Sequence, residues 1–376
     1  MNGNARSRVV VGLSGGVDSA VAALLLKQQG HAVEGLFMDN WEDGEEQTYC
    51  SAAQDFQDAR QVCDRLGIAL HKVNFAADYR ERVFRLFLDE YAAGRTPNPD
   101  VVCNREIKFK VFLDYALRLG AESIATGHYA RLARDGQQLR LLQARDASKD
   151  QSYFLHAVPQ AALARTQFPL GETRKREVRA LARAAGFTNH AKPDSTGICF
   201  IGERRFAEFL TQYLPAQPGD IETPEGEIVG RHQGLMYYTL GQRRGLGIGG
   251  RRHRAGAAWY VAAKDLARNV LVVVQGSEHA ALTQRWLVAE QLHWIAGTPP
   301  AAEFDCTAKS RYRQPDQACQ VRVQDGTARV TFRVPQRALT PGQYVVFYRG
   351  DECLGGGVIR VTETTAFAGT RPRHAA

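Results

Sequence analysis

Three short stretches of this 376-residue chain hold residue types whose spacing points to chemistry. The first is GLSGGVDS, Gly12 to Ser19. Gly15 and Gly16 allow the backbone to turn tightly and approach a ligand. Free amides at a following helix start then face an anion, helped by the positive end of the helix dipole. Ser14 and Ser19 add hydroxyl donors, and Asp18 could orient a metal ion or hold the loop. No Lys-Ser/Thr pair of the Walker A type is present, so transfer of a terminal phosphoryl group is not the indicated chemistry. The second stretch, TPNPDVVCNREIKF, sets Cys103 after two prolines with Arg105 and Lys108 close behind. A helix beginning at Arg105 would add its dipole to those charges and stabilise a thiolate. Asp100 could act there as acid or base. The third stretch, KPDSTGICFIGERRF, carries Cys199 in a Gly- and Pro-marked loop ahead of Arg204 and Arg205. An anion loop with two loop thiols is what sulfur transfer needs: one thiol to carry a persulfide, a second to resolve or assist.

The elements that must position these groups alternate through the first half. Arg8 to Leu13 is an apolar run expected of a strand buried on both faces. Helices are predicted over 19–29, 52–66, 79–91, 105–119 and 173–185, and strands over 33–38, 68–75 and 123–125. A hairpin is predicted from Tyr129 to Ala144, turning at Asp135-Gly136. This order predicts an α/β fold, a doubly wound parallel sheet. Past Phe200 a short helix leads into Gly-rich, turn-rich sequence. From Trp286 onward, short alternating runs such as Val330-Phe332-Val334 predict an all-β unit closed into a barrel. The expected division is 1–200, a small mixed central domain over 201–280, a β-barrel-like domain over 281–364, and a frayed tail over 365–376.

Composition narrows the partners. There are 48 Lys and Arg against 40 Asp and Glu, a net charge of +8. Between Val229 and Gly256 lie Arg231, Arg243, Arg244, Arg251, Arg252 and Arg254 with no acidic residue, a stretch suited to a phosphate backbone or to a solvated loop. Apolar runs fall far short of the ~20 residues of a membrane helix, and MNGNARSR running into VVVGL leaves no room for a leader, so a cytoplasmic location is expected. Seven cysteines with no C-x-x-C spacing argue against a disulfide framework or structural zinc and for a reducing compartment. Cys63, Cys306 and Cys319 sit at apolar-face positions and read as core; Cys50 and Cys353 are undetermined.

GLSGGVDS resembles the SGGxDS pyrophosphate loop of enzymes that adenylate a substrate and release pyrophosphate. Together with GLFMDNW, TPNPDVVCNREIKF, ATGHYAR, SKDQSYFL, STGICFIGERRF and GRHQGLMYYTLGQRRGLGIG, in that order, it resembles the bacterial tRNA-specific 2-thiouridylase family, from about Arg8 to Arg360. The resemblance implies a PP-loop ATPase domain binding ATP with Mg2+ and no tightly held protein metal. ATP would lie at Gly12, Leu13, Ser14, Gly15, Gly16, Val17, Asp18 and Ser19, with Met38 and Gly127 near adenine and ribose. It implies adenylation of the oxygen on carbon 2 of a wobble uridine, then attack by the terminal sulfur of a persulfide on Cys199, or by hydrosulfide released from it. Cys103 would be nucleophile or resolving thiol, and a Cys103–Cys199 disulfide would form in the cycle. Asn98, Pro99 and Asp100 would surround the flipped base, while His128, Lys149, Asp150, Gln151, Arg311, Tyr312 and Gln343 would touch tRNA. The implied partners are tRNAs for Lys, Glu and Gln and a sulfur-relay protein or cysteine desulfurase. The rival readings are an ammonia-using synthetase, a thiolase of another RNA position, and a non-catalytic RNA-binding protein.

Overall fold

Val9, Val10 and Val11 are fully shielded in strand β1 (Arg8–Leu13), as a strand covered on both faces requires. Each such side chain contributes roughly 1.5–3 kcal/mol by leaving water. In the computed structural model, which describes residues 7–41, 46–136, 138–194, 206–248 and 257–363, this strand is the middle of a five-stranded sheet. After it come β2 (Ala32–Asp39), β3 (Leu70–Asn74), β4 (Ser123–Ala125), a hairpin of β5 (Ala130–Asp135) and β6 (Gln138–Gln143), and β7 (Thr166–Gln167). The order is β3-β2-β1-β4-β7, and every neighbour pair is parallel.

Helices cover both faces. Val9 and Val11 pack with α1 (Val17–Gln28), α2 (Glu46–Leu66) and the helix Lys175–Ala184, whereas Val10 packs with the helical stretches at 76–92 and 99–118. The sheet is therefore doubly wound. The chain leaves β1 toward β2 on one side and reaches β4 on the other, so the crevice at the carboxyl ends of β1 and β4 is the topological switch point where such sheets hold ligands.

Three helix starts differ from expectation by three residues or more, the first being α2, which begins at Glu46 rather than at residue 52. The helix foreseen at Arg105 begins at Pro99 and runs as Pro99–Cys103, a π-helical stretch Asn104–Phe112, and Leu113–Arg118. Asn98 is its cap and Pro99 its first residue, a start signal that the TPNPD string itself contains. The helix foreseen at Tyr79 begins at Ala76, where the Asn74 Oδ1 accepts the Ala76 amide at 2.8 Å.

Beyond the first sheet, β8 (Gly219–Glu222), β9 (Ile228–His232), β10 (Trp259–Asp265) and β11 (Val270–Gln275) form a second sheet in the order β10-β11-β8-β9. The third comprises β12 (Thr283–Trp294), β13 (Glu303–Lys309), β14 (Gln317–Gln324), β15 (Thr327–Arg337), β16 (Tyr344–Arg349) and β17 (Glu352–Thr362). Its order β12-β15-β14-β13-β16-β17 returns to β12 through a β12–β17 pairing, which closes the expected barrel. The predicted hairpin is present, but β6 pairs with β17: Leu141 opposes Cys353 and Leu142 opposes Glu352. Arg131–Asp351 at 2.6 Å and Arg140–Glu352 at 2.8 Å reinforce that seam. Cys63, Cys319 and Cys353 are buried, and Cys306 faces Cys319 across β13 and β14. The Cys50 side chain lies outside what is described. Among the described residues no helix is long and apolar enough to cross a membrane.

Candidate functional site

β1 ends at Leu13 and α1 starts at Val17, so Ser14, Gly15 and Gly16 form the whole connection. Gly16 caps α1 with extended backbone and no side chain, which leaves the first-turn amides directed at whatever occupies the crevice. Ser19 Oγ accepts the Ser14 amide at 3.2 Å, donates to Gly16 O at 3.1 Å and lies 3.4 Å from Ser14 Oγ. Gly15 has φ +72°, and a Cβ there would meet Asp55 O at 2.4 Å, so only glycine fits between loop and α2. The Asn189 Nδ2 donates to Gly15 O at 2.9 Å and fixes the loop from behind. Gly127, after β4, backs onto the α1 start, where a Cβ would lie 2.7 Å from Ser19 N. The Met38 tip lies beside Gly12, at the end of β2.

Asp18 is held from outside the loop by two side chains. Tyr129 Oη donates to its Oδ1 at 2.8 Å, and Lys175 Nζ reaches both carboxylate oxygens at 2.7 Å. Of the two uses open to Asp18, holding the loop is the one these bonds serve. Lys175 also pairs with Asp194 at 2.6 Å, and Asp194 with Lys149 and Arg179. Burial raises the Asp194 pKa, but hydrogen bonds from Lys149 and Lys175 outweigh it and hold the group at about 2. The Lys175 side chain is only 12% exposed, so its charge acts at reduced screening beside the loop. Lys175, Asn189 and Asp194 were not singled out from sequence. The available signal was that Lys175 lies three and seven residues before Val178 and Ala182, so helical spacing puts this cation on the buried face.

The second part of the site is the turn ahead of Cys103. The Asn98 Oδ1 accepts the Asp100 amide at 3.2 Å, and Pro99 fixes the first helical residue. Cys103 is buried one turn inside the helix, so the dipole argument for a thiolate at a helix start does not apply to it; Asp100 occupies the first turn instead. Arg105, expected to serve the thiol, pairs with Glu106 at 2.8 Å. Asp100 is exposed, yet desolvation by the surrounding protein raises its pKa while Lys108 opposes the shift. Lys108 also acts on His128, whose pKa burial drives well below the ordinary value, so His128 is neutral. It is buried between Phe109 and Phe168, with Nδ1 2.7 Å from Thr126 Oγ1. Asn104 donates to Phe154 O at 3.1 Å while its Oδ1 is buried without a hydrogen-bond partner.

The remaining sequence candidates are spread over both ends. Lys149 is paired with Asp194. Asp150 is buried and accepts from the Ala144 and Ser152 amides and the Ser152 hydroxyl; burial nevertheless raises its pKa. Gln151 Oε1 accepts the Tyr129 amide at 2.9 Å. Arg311 donates to Ala338 O at 2.9 Å and Leu240 O at 3.2 Å, tying the barrel to the second sheet. Tyr312 packs on Phe154 with ring centres 4.4 Å apart. Gln343 bonds the backbone of Thr96 and Pro97. Cys199, Arg204, Arg205, Arg251, Arg252 and Arg254 lie outside the described residues. Among the described residues no group of three or more His, Cys, Asp or Glu could hold a metal ion.

This geometry can be set beside known proteins. The tRNA methyl transferase HUP domain family matches residues 7–203, the tRNA methyl transferase PRC-barrel domain family 207–275, and the aminomethyltransferase beta-barrel domain family 284–359. The chain is 64% identical over 357 residues to the tRNA-specific 2-thiouridylase MnmA of Chromohalobacter salexigens, covering 94% of this chain and 93% of that protein. It is 62% identical over 360 residues to the protein of the same name from Methylococcus capsulatus, covering 95% and 97%. Against that from Hahella chejuensis the identity is 60% over 359 residues, covering 96% and 99%.

Proposed function

The chain belongs to the tRNA-specific 2-thiouridylase family, and on that footing we propose that it replaces the oxygen on carbon 2 of a tRNA wobble uridine with sulfur, using ATP to activate that oxygen. The observation that carries the ATP half is the uncapped α1 amino terminus with Lys175 beside it, a cradle for a pyrophosphate group. Uracil oxygen leaves poorly, whereas an adenylated oxygen departs as AMP. Magnesium would enter as Mg-ATP, held chiefly by phosphate oxygens, since Asp18 is committed to Lys175 and Tyr129.

In the first step the carbon-2 oxygen attacks the α-phosphate and pyrophosphate leaves. In the second, the terminal sulfur of a Cys199 persulfide attacks carbon 2 and AMP leaves. Cys103 then attacks the Cys199 sulfur, forming a disulfide and releasing 2-thiouridine, and cellular thiols reduce the disulfide. Asp100, with its raised pKa and its place in the first helical turn beside the Asn98 cap, is suited to moving the proton of the base. The base must leave its stack to be reached, which an anticodon loop permits at low cost. The tRNAs for Lys, Glu and Gln and a persulfide-donating protein complete the proposal, as does the assignment of the three sheets to domains at 1–200, 201–280 and 281–364.

The test combines unmodified tRNA, Mg-ATP and a persulfide donor (a cysteine desulfurase with cysteine), followed by nucleoside mass spectrometry and nucleotide analysis. The expected result is 2-thiouridine at the wobble position with one AMP per sulfur inserted. Production of ADP, or of another thiolated nucleoside, would overturn the reading.

A further inference from the structure

Parts of the chain remote in sequence converge on the four residues Gly94 to Pro97, which lead directly into the Asn98 cap. From the barrel side, Pro341 O accepts the Thr96 amide at 3.0 Å. Gln343 Nε2 donates to Thr96 O at 2.8 Å and Pro97 O at 3.3 Å, across 247 residues of sequence in the first case. Between them Gly342 has φ +91°, and a Cβ there would lie 2.9 Å from the N, C and O atoms of Thr96. Only glycine allows that approach. From the second sheet, Lys264 Nζ donates to Gly94 O at 3.0 Å, and the Thr239 and Thr96 hydroxyls lie 3.4 Å apart. Behind the segment, Glu90 takes Arg95 at 2.6 Å and Arg360 of β17 at 3.0 Å.

A small recess lined by Pro97, Asn98, Pro99, Val102, Gln291 and Tyr344 lies against this turn. The segment ahead of it is tied to the barrel and the second sheet by the bonds above. Gln343 has two amide hydrogens, and both carbonyls that receive them belong to the segment. No donor is left over for a phosphate unless one of these bonds breaks.

We propose that Gly94–Pro97 is a strap, and that Gln343 and Gly342 are positioning residues which, through it, set how the Asn98–Asp100 turn presents a base to Cys103. The inference rests on the thiolation reading and goes beyond it, since it makes barrel and second sheet part of the base pocket's scaffold. RNA seated on either unit would be registered at the turn through the same bonds.

Gln343→Met keeps the side chain's length and removes both donors. In steady-state thiolation its kcat should fall about tenfold while KM for tRNA stays within about twofold, because a small misplacement of reacting groups slows chemistry more than binding. The opposite split, KM raised and kcat unchanged, would make Gln343 a tRNA contact and overturn the proposal. Gln343→Lys restores a donor of similar reach and should return kcat to within about threefold of the parent. A readout independent of turnover is maleimide labelling of Cys103, followed by peptide mass spectrometry without tRNA or ATP. Labelling should quicken about fivefold in Gln343→Met and in Gly342→Ala, as the strap opens locally; unchanged labelling in both variants would also overturn the proposal. If the parent protein makes no 2-thiouridine, the function reading fails, while the labelling result still decides the strap.

Discussion

Around the phosphate loop the fastenings come from the same sheet-and-helix unit: Asn189 on Gly15, Tyr129 and Lys175 on Asp18, Asp194 on Lys175. Around the turn before Cys103 they come from the second sheet and the barrel: Lys264, Thr239, Pro341, Gln343 and Arg360. The first end is complete as soon as one unit folds. The second depends on how three units sit together. A nucleotide site shared by many reactions needs only a local scaffold, whereas a pocket for a base on a large RNA gains by being built across the surfaces that RNA would touch.

Substitutions can break that contrast, beginning where the effect is greatest. Gly15→Ala forces a Cβ into α2 and a left-handed conformation on alanine, for a stability loss of at least about 1–2 kcal/mol. AMP formation should drop by about 100-fold or more, while maleimide labelling of Cys103 stays at the parent rate. Cys103→Ser should do the reverse, abolishing tRNA thiolation with AMP formation retained. Its control is Cys63→Ser: burial pushes the Cys63 thiol up to about 12, marking it as inert core, so turnover per folded molecule should be unchanged.

Lys175→Met leaves Asp18 and Asp194 facing one another without their shared cation. AMP formation should fall about 10- to 100-fold, the range expected when a largely buried charge partner is removed. Equal loss from Arg179→Met, whose contact with Asp194 is longer at 3.5 Å, would blur the assignment to Lys175. The smallest effect is in acid. Asp194 has a folded pKa of about 2 against an ordinary 3.8, so its stabilisation is complete above about pH 4 and is lost as pH falls toward 2. The melting temperature of Asp194→Asn should lie below the parent's at pH 7, and the gap should narrow below pH 4. A gap independent of pH would assign the effect to packing.

The local part of this architecture was readable in the residues. An apolar strand, three loop residues and a helix lie adjacent in the chain, and their chemistry follows from order alone. What failed were interactions that sequence order does not encode. Arg105 looked like a partner for the thiol because it is two residues away, yet a helix already under way at Pro99 turns it toward Glu106. Lys175 drew no assignment from sequence; only the doubly wound packing brings it to Asp18, 157 residues back. Cys353 could not be classed because its burial depends on a strand pairing with Leu141. His128 and Gln343 were singled out through the family resemblance, and their bonds to Thr126 and to the Thr96–Pro97 backbone are features of tertiary structure.

The seam between β6 and β17 has a consequence for biosynthesis. A hairpin made before residue 144 waits for a strand made after residue 351 to cover its edge. During synthesis on the ribosome that edge stays open until β17 has emerged, a template for wrong pairings. Chains truncated within the barrel should accordingly aggregate through their amino-terminal half.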